Sequence, residues 1–400
     1  MRGRVRPSRP DRGLMRPDRL LVGLCLTCGL QIFSIGAFPA LLPEIGRGAA
    51  LADWQLGAVA GAFGFARMLI DVPAGLLMTH HVRRALVGGP VFVLAGIACV
   101  VLGGSFAWLV LGRVLMGAGH TLGQLSMLTT LLRARAERGL ASALAAFEFS
   151  AMLGMLGGVT LVGALPGALP WQTAFVIACS PLLAVVVTLR QLLTLLPDDG
   201  RGRPWFARSA ATVASDTGLA RRDTTVLAFA AGGAVALAYA TLEQFLIPVR
   251  GSREFGLDRA GIARLLMLAQ LCDTIALLPV GALADRRGIP RVLGVVLVTF
   301  AAGVAMIGLG PLPLVVAGCV VFGLSMAGWM LPVGLLRTAT PAGQVAWRTA
   351  VFRVFVDGGM FLGPFVSGLL GAAHARVLPA TLGAVLLAVG VALLARAARR

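Results

Sequence analysis

The sequence contains no lysine, and it is poor in charged residues of every kind. Only 13% of its 400 residues are charged, whereas about 25% is usual in a soluble globular domain. The mean hydropathy is +0.88. A soluble domain of this size would keep a higher proportion of charged residues. The composition therefore excludes a soluble globular protein and predicts a polytopic membrane protein.

Signatures of catalysis and of metal binding are also missing. The chain has no Gly-rich phosphate loop of the P-loop type, no H-E-x-x-H motif and no convincing nucleophile triad. All six cysteines fall inside apolar segments. Cys25 and Cys28 have the spacing of a redox pair, but redox or zinc chemistry needs water or further ligands nearby. We interpret them as packing residues, and we expect no enzyme activity, no cofactor and no metal site.

Long apolar segments alternate with short charged breaks along the chain. Each segment is long enough to cross roughly 30 Å of hydrocarbon as a helix, and the short alternating segments of a membrane β-barrel do not occur. We predict an all-α membrane protein with twelve transmembrane helices. The predicted spans are 20–43, 54–78, 86–105, 108–132, 140–163, 171–195, 224–248, 257–282, 291–310, 313–336, 346–371 and 376–396.

The distribution of arginine predicts the orientation. If both termini lie in the cytoplasm, most of the 35 arginines fall in cytoplasmic segments, as the positive-inside rule requires. The net charge of +18 is then a topology signal near anionic lipid headgroups, and no nucleic-acid partner is needed to explain it. The first apolar run is too long for a cleaved signal peptide. We expect a monomeric integral protein of a bacterial inner membrane.

A polar stretch at 197–223 separates six predicted helices from six. Two landmarks recur across it with one offset: "GLLMTHHVRRA" from Gly75 matches "GALADRRGIPR" from Gly281, and "MLGG" matches "FLGP". This predicts two six-helix halves related by a pseudo-two-fold axis normal to the membrane, with a substrate site between them near mid-membrane. The predicted units are a tail 1–19, a half 20–196, the linker 197–223, a half 224–396 and a tail 397–400.

Four short motifs occur in order along the chain. The segment after the eighth helix fits G-x-L-A-D-R-x-G-R at Gly281, Leu283, Ala284, Asp285, Arg286 and Gly288, with the last arginine displaced to Arg291. Its first copy keeps Gly75, Leu77, Arg83 and Arg84, but has Thr79 and His80 where an aspartate and an arginine belong. The fourth helix fits L-x-x-x-R-x-x-x-G-x-G at Leu109, Arg113, Gly117 and Gly119. The fifth helix carries a partial glycine motif at Gly154, Gly157 and Gly158, and "LPEIG" closes the first helix.

With these motifs the chain resembles a member of the major facilitator superfamily over nearly its whole length. The resemblance implies a transporter that works by alternating access, of the type that exchanges a drug or metabolite for protons. The fifth-helix glycines are typical of the family's antiporters, although Gly158 stands where their motif has a proline.

The resemblance also implies a role for the charged loop. In the family its aspartate docks on the N-terminal end of a helix in the opposite half while the cytoplasmic side is closed, and a carboxylate there gains about 0.3–1 kcal/mol. For Asp285 the expected partner is the start of the fifth helix, near Arg138–Leu140. The mirror contact lacks its acid because Thr79 occupies that position. The alternative is that Asp285 and Arg286 only mark topology. The expected gate residues are Gly281, Asp285, Arg286 and Gly288.

Charged residues inside the predicted helices are the candidates for transport chemistry. Each costs about 2.5–3.5 kcal/mol at mid-bilayer, so those retained usually face a partner or a cavity. Their near-neutral balance argues against a site built for strongly charged substrates. They are Asp71, Glu148, Glu243, Asp273, Asp357, Arg67, Arg113, Arg264 and Arg353.

Four of these charges form two pairs at helical spacing. Arg67 precedes Asp71, and Arg353 precedes Asp357, by one turn, so each pair shares a face and can neutralise itself locally. The resemblance implies that the second and eleventh helices pack together between the halves, which allows one interhalf network. That network either holds the halves together or breaks and re-forms as access alternates.

A polar stripe on the fourth helix joins Arg113 and Gly117 to His120 and Gln124. The resemblance implies that this helix lines the cavity and that Arg113 takes part in proton coupling. His120 is either a hydrogen-bonded packing residue or a proton carrier. Opposing cavity candidates on the first and seventh helices are Gln31, Ser34, Tyr239 and Glu243.

Three classes of function fit these observations. The first is proton-coupled export of a small molecule, with Asp71, Asp357, Glu148 and Arg113 as coupling candidates. The second is an uptake carrier for an organic acid or another metabolite. The third is a non-transporting membrane sensor or scaffold. Retained intramembrane acids and the charged loop argue against the third, so we expect a transporter whose partners are a small molecule, protons and the lipid bilayer.

Overall fold

A computed structural model describes residues 18–78, 81–134, 140–196, 219–341 and 344–399. Within these ranges the chain folds into twelve helices and contains no strand, which confirms the predicted helix number and class. Nine are single helices: α1 Arg19–Gly48, α2 Asp53–Leu77, α3 Val82–Gly103, α4 Phe106–Ala134, α5 Leu140–Ala164, α8 Arg259–Arg287, α9 Ile289–Leu309, α11 Val345–Leu370 and α12 Val377–Ala398. Three are irregular: α6 Trp171–Leu195 contains a 3-10 stretch, α7 joins Leu219–Thr241 to Ile247–Arg253 through a π-helical turn, and α10 joins Leu312–Met326 to Leu331–Thr338.

Eleven of these helices are long and apolar enough to cross a membrane. The exception is α4, which has 29 residues but carries the polar stripe of Arg113, His120 and Gln124. Large apolar side chains project outward from the bundle, among them Leu278, which is 68% exposed. Such outward leucines are stable when lipid chains surround them. The protein is therefore an integral membrane protein.

The charged loop at the end of α8 is a helix terminus rather than an open loop. The helix runs on through Arg287 and ends at Gly288, whose φ of +85° is open only to glycine without strain. Pro290 then lies in the first turn of α9, where its missing N–H has no partner to lose. Gly288 and Pro290 thus end α8 and begin α9 with a connection of one residue.

Glycines bring several helices into direct backbone contact. A Cβ added at Gly36 of α1 would collide with the carbonyl oxygen of Met155 on α5, and one at Gly154 would collide with Gly29. On α2, Gly57 lies against Gly368 of α11 in the same manner. Small residues are the usual device for close helix packing in membranes. The glycines of the fifth and eleventh helices are therefore packing residues.

Helices α1–α6, which we call the N-terminal set, meet helices α7–α12, the C-terminal set, along α2 with α11, α5 with α8, and α1 with α7 and α8. The α1–α2, α5–α6, α7–α8 and α9–α10 junctions approach one another at one end of the bundle. We call that end the α1–α2 face and the opposite end the α2–α3 face. The candidate site lies between the two sets.

Candidate functional site

Two ion pairs join α2 to α11 halfway along both helices. Nη2 of Arg67 lies 2.9 Å from Oδ1 of Asp357. One turn further along α2, Nε of Arg353 lies 3.1 Å from Oδ2 of Asp71, and Nη2 of Arg353 lies 3.3 Å from the other oxygen. The side chain of Asp357 is only 2% exposed. We call these four residues the charge network.

The pairing runs between the helices and not along them, which differs from the local neutralisation expected from spacing. The helices are antiparallel, so the order Arg67–Asp71 on α2 meets the order Asp357–Arg353 on α11. Each arginine therefore lies level with the aspartate of the other helix. The close approach at Gly61, where a Cβ would press on the carbonyl oxygen of Phe361, keeps these partners within hydrogen-bond distance.

Glu148 on α5 lies near the charge network without joining it. The charges of Arg353 and Arg67 both act on its carboxylate. No ion pair of Glu148 is found among the residues that the structure describes. This acid is therefore the third carboxylate near the network, beside two that are already matched.

A second polar group lies within the C-terminal set. Glu243 is 3% exposed and sits in the π-helical turn of α7. Its Oε1 accepts hydrogen bonds from the hydroxyl of Tyr239, at 3.3 Å, and from Nε2 of Gln270 on α8, at 3.0 Å. Asp273, one turn beyond Gln270, is close enough for the charges of the two acids to interact. We call Glu243, Gln270 and Asp273 the Glu243 cluster.

Aromatic side chains border the Glu243 cluster. The ring of Tyr239 meets the edge of Trp329 with centroids 5.6 Å apart. Trp329 lies in the break between the two segments of α10 and is partly exposed. The hydroxyl of Tyr239 also lies 3.9 Å from Sδ of Met155 on α5, so this aromatic edge reaches the N-terminal set.

Arg113 does not line this region. It is 1% exposed, and its guanidinium lies 3.8 Å from the ring centroid of Phe38 and 5.0 Å from that of Phe63. One nitrogen donates to the carbonyl of Ala60 at 3.4 Å. Within the described part of the chain, no carboxylate pairs with it, and Nε and Nη1 have no hydrogen-bond partner. Arg113 is thus a secluded cation held by aromatic faces.

The other predicted wall residues of the N-terminal set are packed among α1, α2 and α4. Nε2 of Gln31 donates to the carbonyl of Gly119 at 3.1 Å, and Ser34 is 2% exposed beside it. His120 lies 5.4 Å from the ring of Phe63 and has Gln124 as a hydrogen-bond partner. The structure therefore brings Tyr239 and Glu243 together through a hydrogen bond, and it places Gln31, Ser34, His120 and Gln124 in contacts within the N-terminal set.

The α1–α2 face is joined by ion pairs that the sequence analysis did not anticipate. Nη2 of Arg259 lies 2.5 Å from Oε2 of Glu44 and also donates to the carbonyl of Leu169 at 2.8 Å. Arg253 pairs with Asp53 at 2.7 Å. Each pair links the two sets. The available signals were the acid in "LPEIG" and the arginine that follows the N-cap residue Asp258, but nothing in the sequence pairs them.

At the α2–α3 face the predicted gate residues are exposed. Gly281, Asp285, Arg286 and Gly288 are all solvent-accessible, and nothing lies within 4 Å of a Cβ added at Gly281. Among the described residues, no hydrogen bond or ion pair joins Asp285 or Arg286 to the N-terminal set. The expected docking position lies largely within 135–139, and Thr79 and His80 of the first copy are also outside the described residues.

Comparison with known proteins was made for sequence and for fold. A family model described as Major Facilitator Superfamily matches residues 20–252, and no curated protein sequence matches the chain. A POT family transporter in complex with a thioalcohol-conjugated peptide superposes with a TM-score of 0.78 at 13% identity, covering 98% of each chain. A mutant form of the nucleoside transporter NupG superposes with a TM-score of 0.73 at 14% identity, covering 94% of this chain and 99% of that one. At such identities the likeness shows a shared fold.

Proposed function

The chain belongs to the major facilitator superfamily, and we propose that it exports a small molecule by alternating access in exchange for protons. The family and the solved structures similar to this chain are transporters rather than enzymes. Secondary transport is therefore the activity that the family and the fold support. The proposal adds the direction of transport, the coupling ion and the substrate.

The proposal includes a topology. Both termini and the linker 197–223 lie in the cytoplasm, and the two sets are pseudo-symmetric halves, 20–196 and 224–396, of a monomer in a bacterial inner membrane. The arginine bias and the repeated landmarks support this arrangement. The α1–α2 face is then the outer face. The ion pairs at Glu44 and Asp53 close it, and the exposed Asp285 lies on the inner side, so the described conformation faces inward.

The observation that carries the coupling proposal is the charge network between α2 and α11. Alternating access moves the two halves relative to each other, so it must strain pairs that join them. A carboxylate that loses its arginine gains affinity for a proton, and one that regains it releases the proton. Asp71 and Asp357 stand in that position. Glu148 is a further acid that a displaced arginine can reach, and Arg113 supplies a fixed positive charge in the N-terminal half.

The energy scale is adequate for active transport. One proton moving down about 150 mV of total driving force releases roughly 3.5 kcal/mol, at about 2.3 kcal/mol per 100 mV. This supports a substrate gradient of a few hundred-fold, at about 1.4 kcal/mol per factor of ten. One proton per substrate is therefore enough for an uncharged substrate.

Export is proposed over uptake because of the fifth-helix glycines, which resemble the family's antiporter motif. The second candidate is uptake of a small metabolite. It is favoured by the similar folds of a peptide transporter and a nucleoside transporter. The uptake carrier is either a proton symporter or a uniporter, so a transport experiment separates the functions by direction and by the response to a pH gradient.

The test uses the full-length protein in proteoliposomes with an imposed pH gradient and a chemically broad panel of compounds. A proton antiporter accumulates a panel compound in acid-loaded vesicles. Asp71→Asn and Asp357→Asn should lose this accumulation while they keep substrate exchange, whereas the exposed Asp223→Asn on the same bundle should behave as wild type. Wild-type transport that ignores the pH gradient contradicts proton coupling, and accumulation with the opposite gradient favours uptake.

A further inference from the structure

The arginines inside the bundle are distributed unevenly among its acids. Asp71 and Asp357 are each matched by an arginine of the charge network. Arg113 is secluded against Phe38, and the exposed Arg264 lies near the α1–α2 end of α8. Among the described residues, no arginine pairs with Glu148, Glu243 or Asp273. Three acids therefore remain without a partner cation.

The Glu243 cluster also contains an acceptor that lacks a donor. Gln270 is 5% exposed; its Nε2 donates to Glu243, and its Oε1 is buried with no hydrogen-bond partner in the described part of the chain. A buried unpaired acceptor is costly. Both hydrogen bonds to Glu243 end on Oε1, so they leave Oε2 unused. With Asp273 one turn away, the cluster presents two carboxyl groups, but among the described residues no donor is directed to Oε1 of Gln270.

The backbone around the cluster is irregular in both helices that border it. Glu243 lies in the π-helical turn of α7, and Trp329 lies in the break of α10 between Met326 and Leu331. π-Helical turns frequently occur at functional sites, and broken helices line substrate sites in transporters. Two irregularities that meet at one cluster mark a place where the bundle accommodates something other than its own side chains.

Aromatic rings complete the site. Tyr239 and Trp329 form an edge-to-face pair, and an aromatic face attracts a cation through its quadrupole, most strongly in tryptophan. Trp329 and Asp273 are partly exposed, whereas Glu243 and Gln270 are 3% and 5% exposed. The site thus combines two carboxyl groups, an unmet acceptor and aromatic surface.

We infer that this site binds a protonated organic amine, with its ammonium hydrogens directed to Gln270 and the two acids and its apolar part against Tyr239 and Trp329. The inference rests on the proposed function and deepens it, because it names an organic cation as the exported substrate. The acids and arginines inside the helices nearly cancel in number, which argued against a strongly charged substrate. In the described part of the structure, however, those arginines form no ion pair with the Glu243 cluster, so the sum does not describe this site.

Binding to the purified full-length protein tests this with four probes that share one ring system. They are 1-naphthylmethylamine, its N,N,N-trimethylammonium derivative, 1-naphthylmethanol and 1-naphthoate, measured by calorimetry at one pH. The primary amine should bind most tightly, because it offers both charge and hydrogens. The trimethylammonium probe should follow, and the alcohol and the carboxylate should be weakest. Glu243→Gln and Asp273→Asn should each weaken amine binding by about tenfold or more, the scale of a hydrogen bond to a charged group.

Gln270→Leu separates the two contributions. It removes the unpaired acceptor and should reduce the preference for the primary amine over the trimethylammonium probe. Asp223→Asn, an exposed acid-to-amide change on α7, is the control for charge alone. Monodisperse elution and an unchanged melting temperature show that each variant is folded. Where Glu243→Gln does not fold, Asp273→Asn and Gln270→Leu carry the test.

Two results would overturn the inference: equal binding of the carboxylate and the amine, or wild-type amine affinity in both Glu243→Gln and Asp273→Asn. These outcomes are distinct from failure of the proposed function. Amine-selective binding in a protein that ignores pH gradients keeps the cation site and removes the coupling. Gradient-driven transport of neutral or anionic compounds without amine binding keeps the proton coupling and removes the cation site.

Discussion

Arg67 on α2 and Asp357 on α11 are 290 positions apart in the chain, yet their side chains meet at 2.9 Å between the two sets of helices. The second pair, Asp71 with Arg353, repeats the contact with the charges exchanged. Because the helices are antiparallel, one spacing in both sequences produces both pairs. The interface is thereby held by two contacts of opposite polarity.

The first prediction concerns this interface. Arg67→Gln or Asp357→Asn alone leaves a buried charge without its partner and should lower the free energy of unfolding by about 3 kcal/mol. The double variant should recover more than half of that loss. Thermal unfolding in detergent measures it, with the exposed pair Arg396 and Asp223 as a control expected to change stability by less than about 1 kcal/mol. Additive losses in the double variant would show that the two groups do not depend on each other.

The second prediction concerns Arg113. Arg113→Met removes a desolvated cation that has no carboxylate partner among the described residues, so the melting temperature should stay the same or rise. Arg113→Lys should lower it, because lysine lacks the flat guanidinium that stacks on Phe38. Both variants should lose transport driven by a pH gradient. Full gradient-driven transport in the methionine variant would reduce Arg113 to a packing residue.

The third prediction concerns the α1–α2 face. Glu44→Gln removes the acid that holds Arg259 and should favour opening of this face. A single cysteine at Ala263, which packs against Gly163, should then react several-fold faster with a membrane-impermeant thiol reagent added outside. The matched control is Glu254→Gln, whose partner Arg250 lies on the same helix. Equal acceleration by the control would mean that general loosening, and not release of the two sets, exposes the cysteine.

The fourth prediction concerns Asp285. Because Asp285 is exposed in the described conformation, we expect its docking contact in the state that is closed on the cytoplasmic side. Asp285→Asn should weaken that state by up to about 1 kcal/mol, the upper range expected for a carboxylate at a helix N-terminus. Labelling of a single cysteine at Ala145, an exposed residue near the start of α5, from the cytoplasmic side should increase about five-fold at most. Unchanged labelling together with unchanged transport would leave Asp285 as a topology marker.

Much of the fold was predictable because lipid imposes strong rules on sequence. A helix must run about 20 apolar residues to cross the bilayer, so the twelve spans could be identified without any contact information. α4 shows the limit of that rule, because its polar stripe around Arg113 removes it from the eleven clearly apolar helices. Its span, 108–132, was nevertheless predicted from the length of the apolar segment.

Contacts between distant residues were not predictable in the same way. The pair Glu44 and Arg259 is 215 positions apart, and no periodicity links the two residues. The charge network was expected as a group, but its crosswise pairing depends on the relative direction and height of α2 and α11. Arg113 was expected at a cavity because the family resemblance implies that its helix lines one. The structure instead turns its side chain toward Phe38 and Phe63, which supply a cation site without polar atoms.

The composition of the charge network has an electrical consequence. Each set of helices contributes one arginine and one aspartate, so relative motion of the sets carries no net charge of the network across the membrane. The transmembrane voltage, worth about 2.3 kcal/mol per elementary charge per 100 mV, then acts on the unmatched acids, on whatever neutralises them and on any proton that the network takes up. Exchange of one monovalent ammonium for one proton is electroneutral and is driven by the pH difference alone. An electrogenic current would instead report a different stoichiometry.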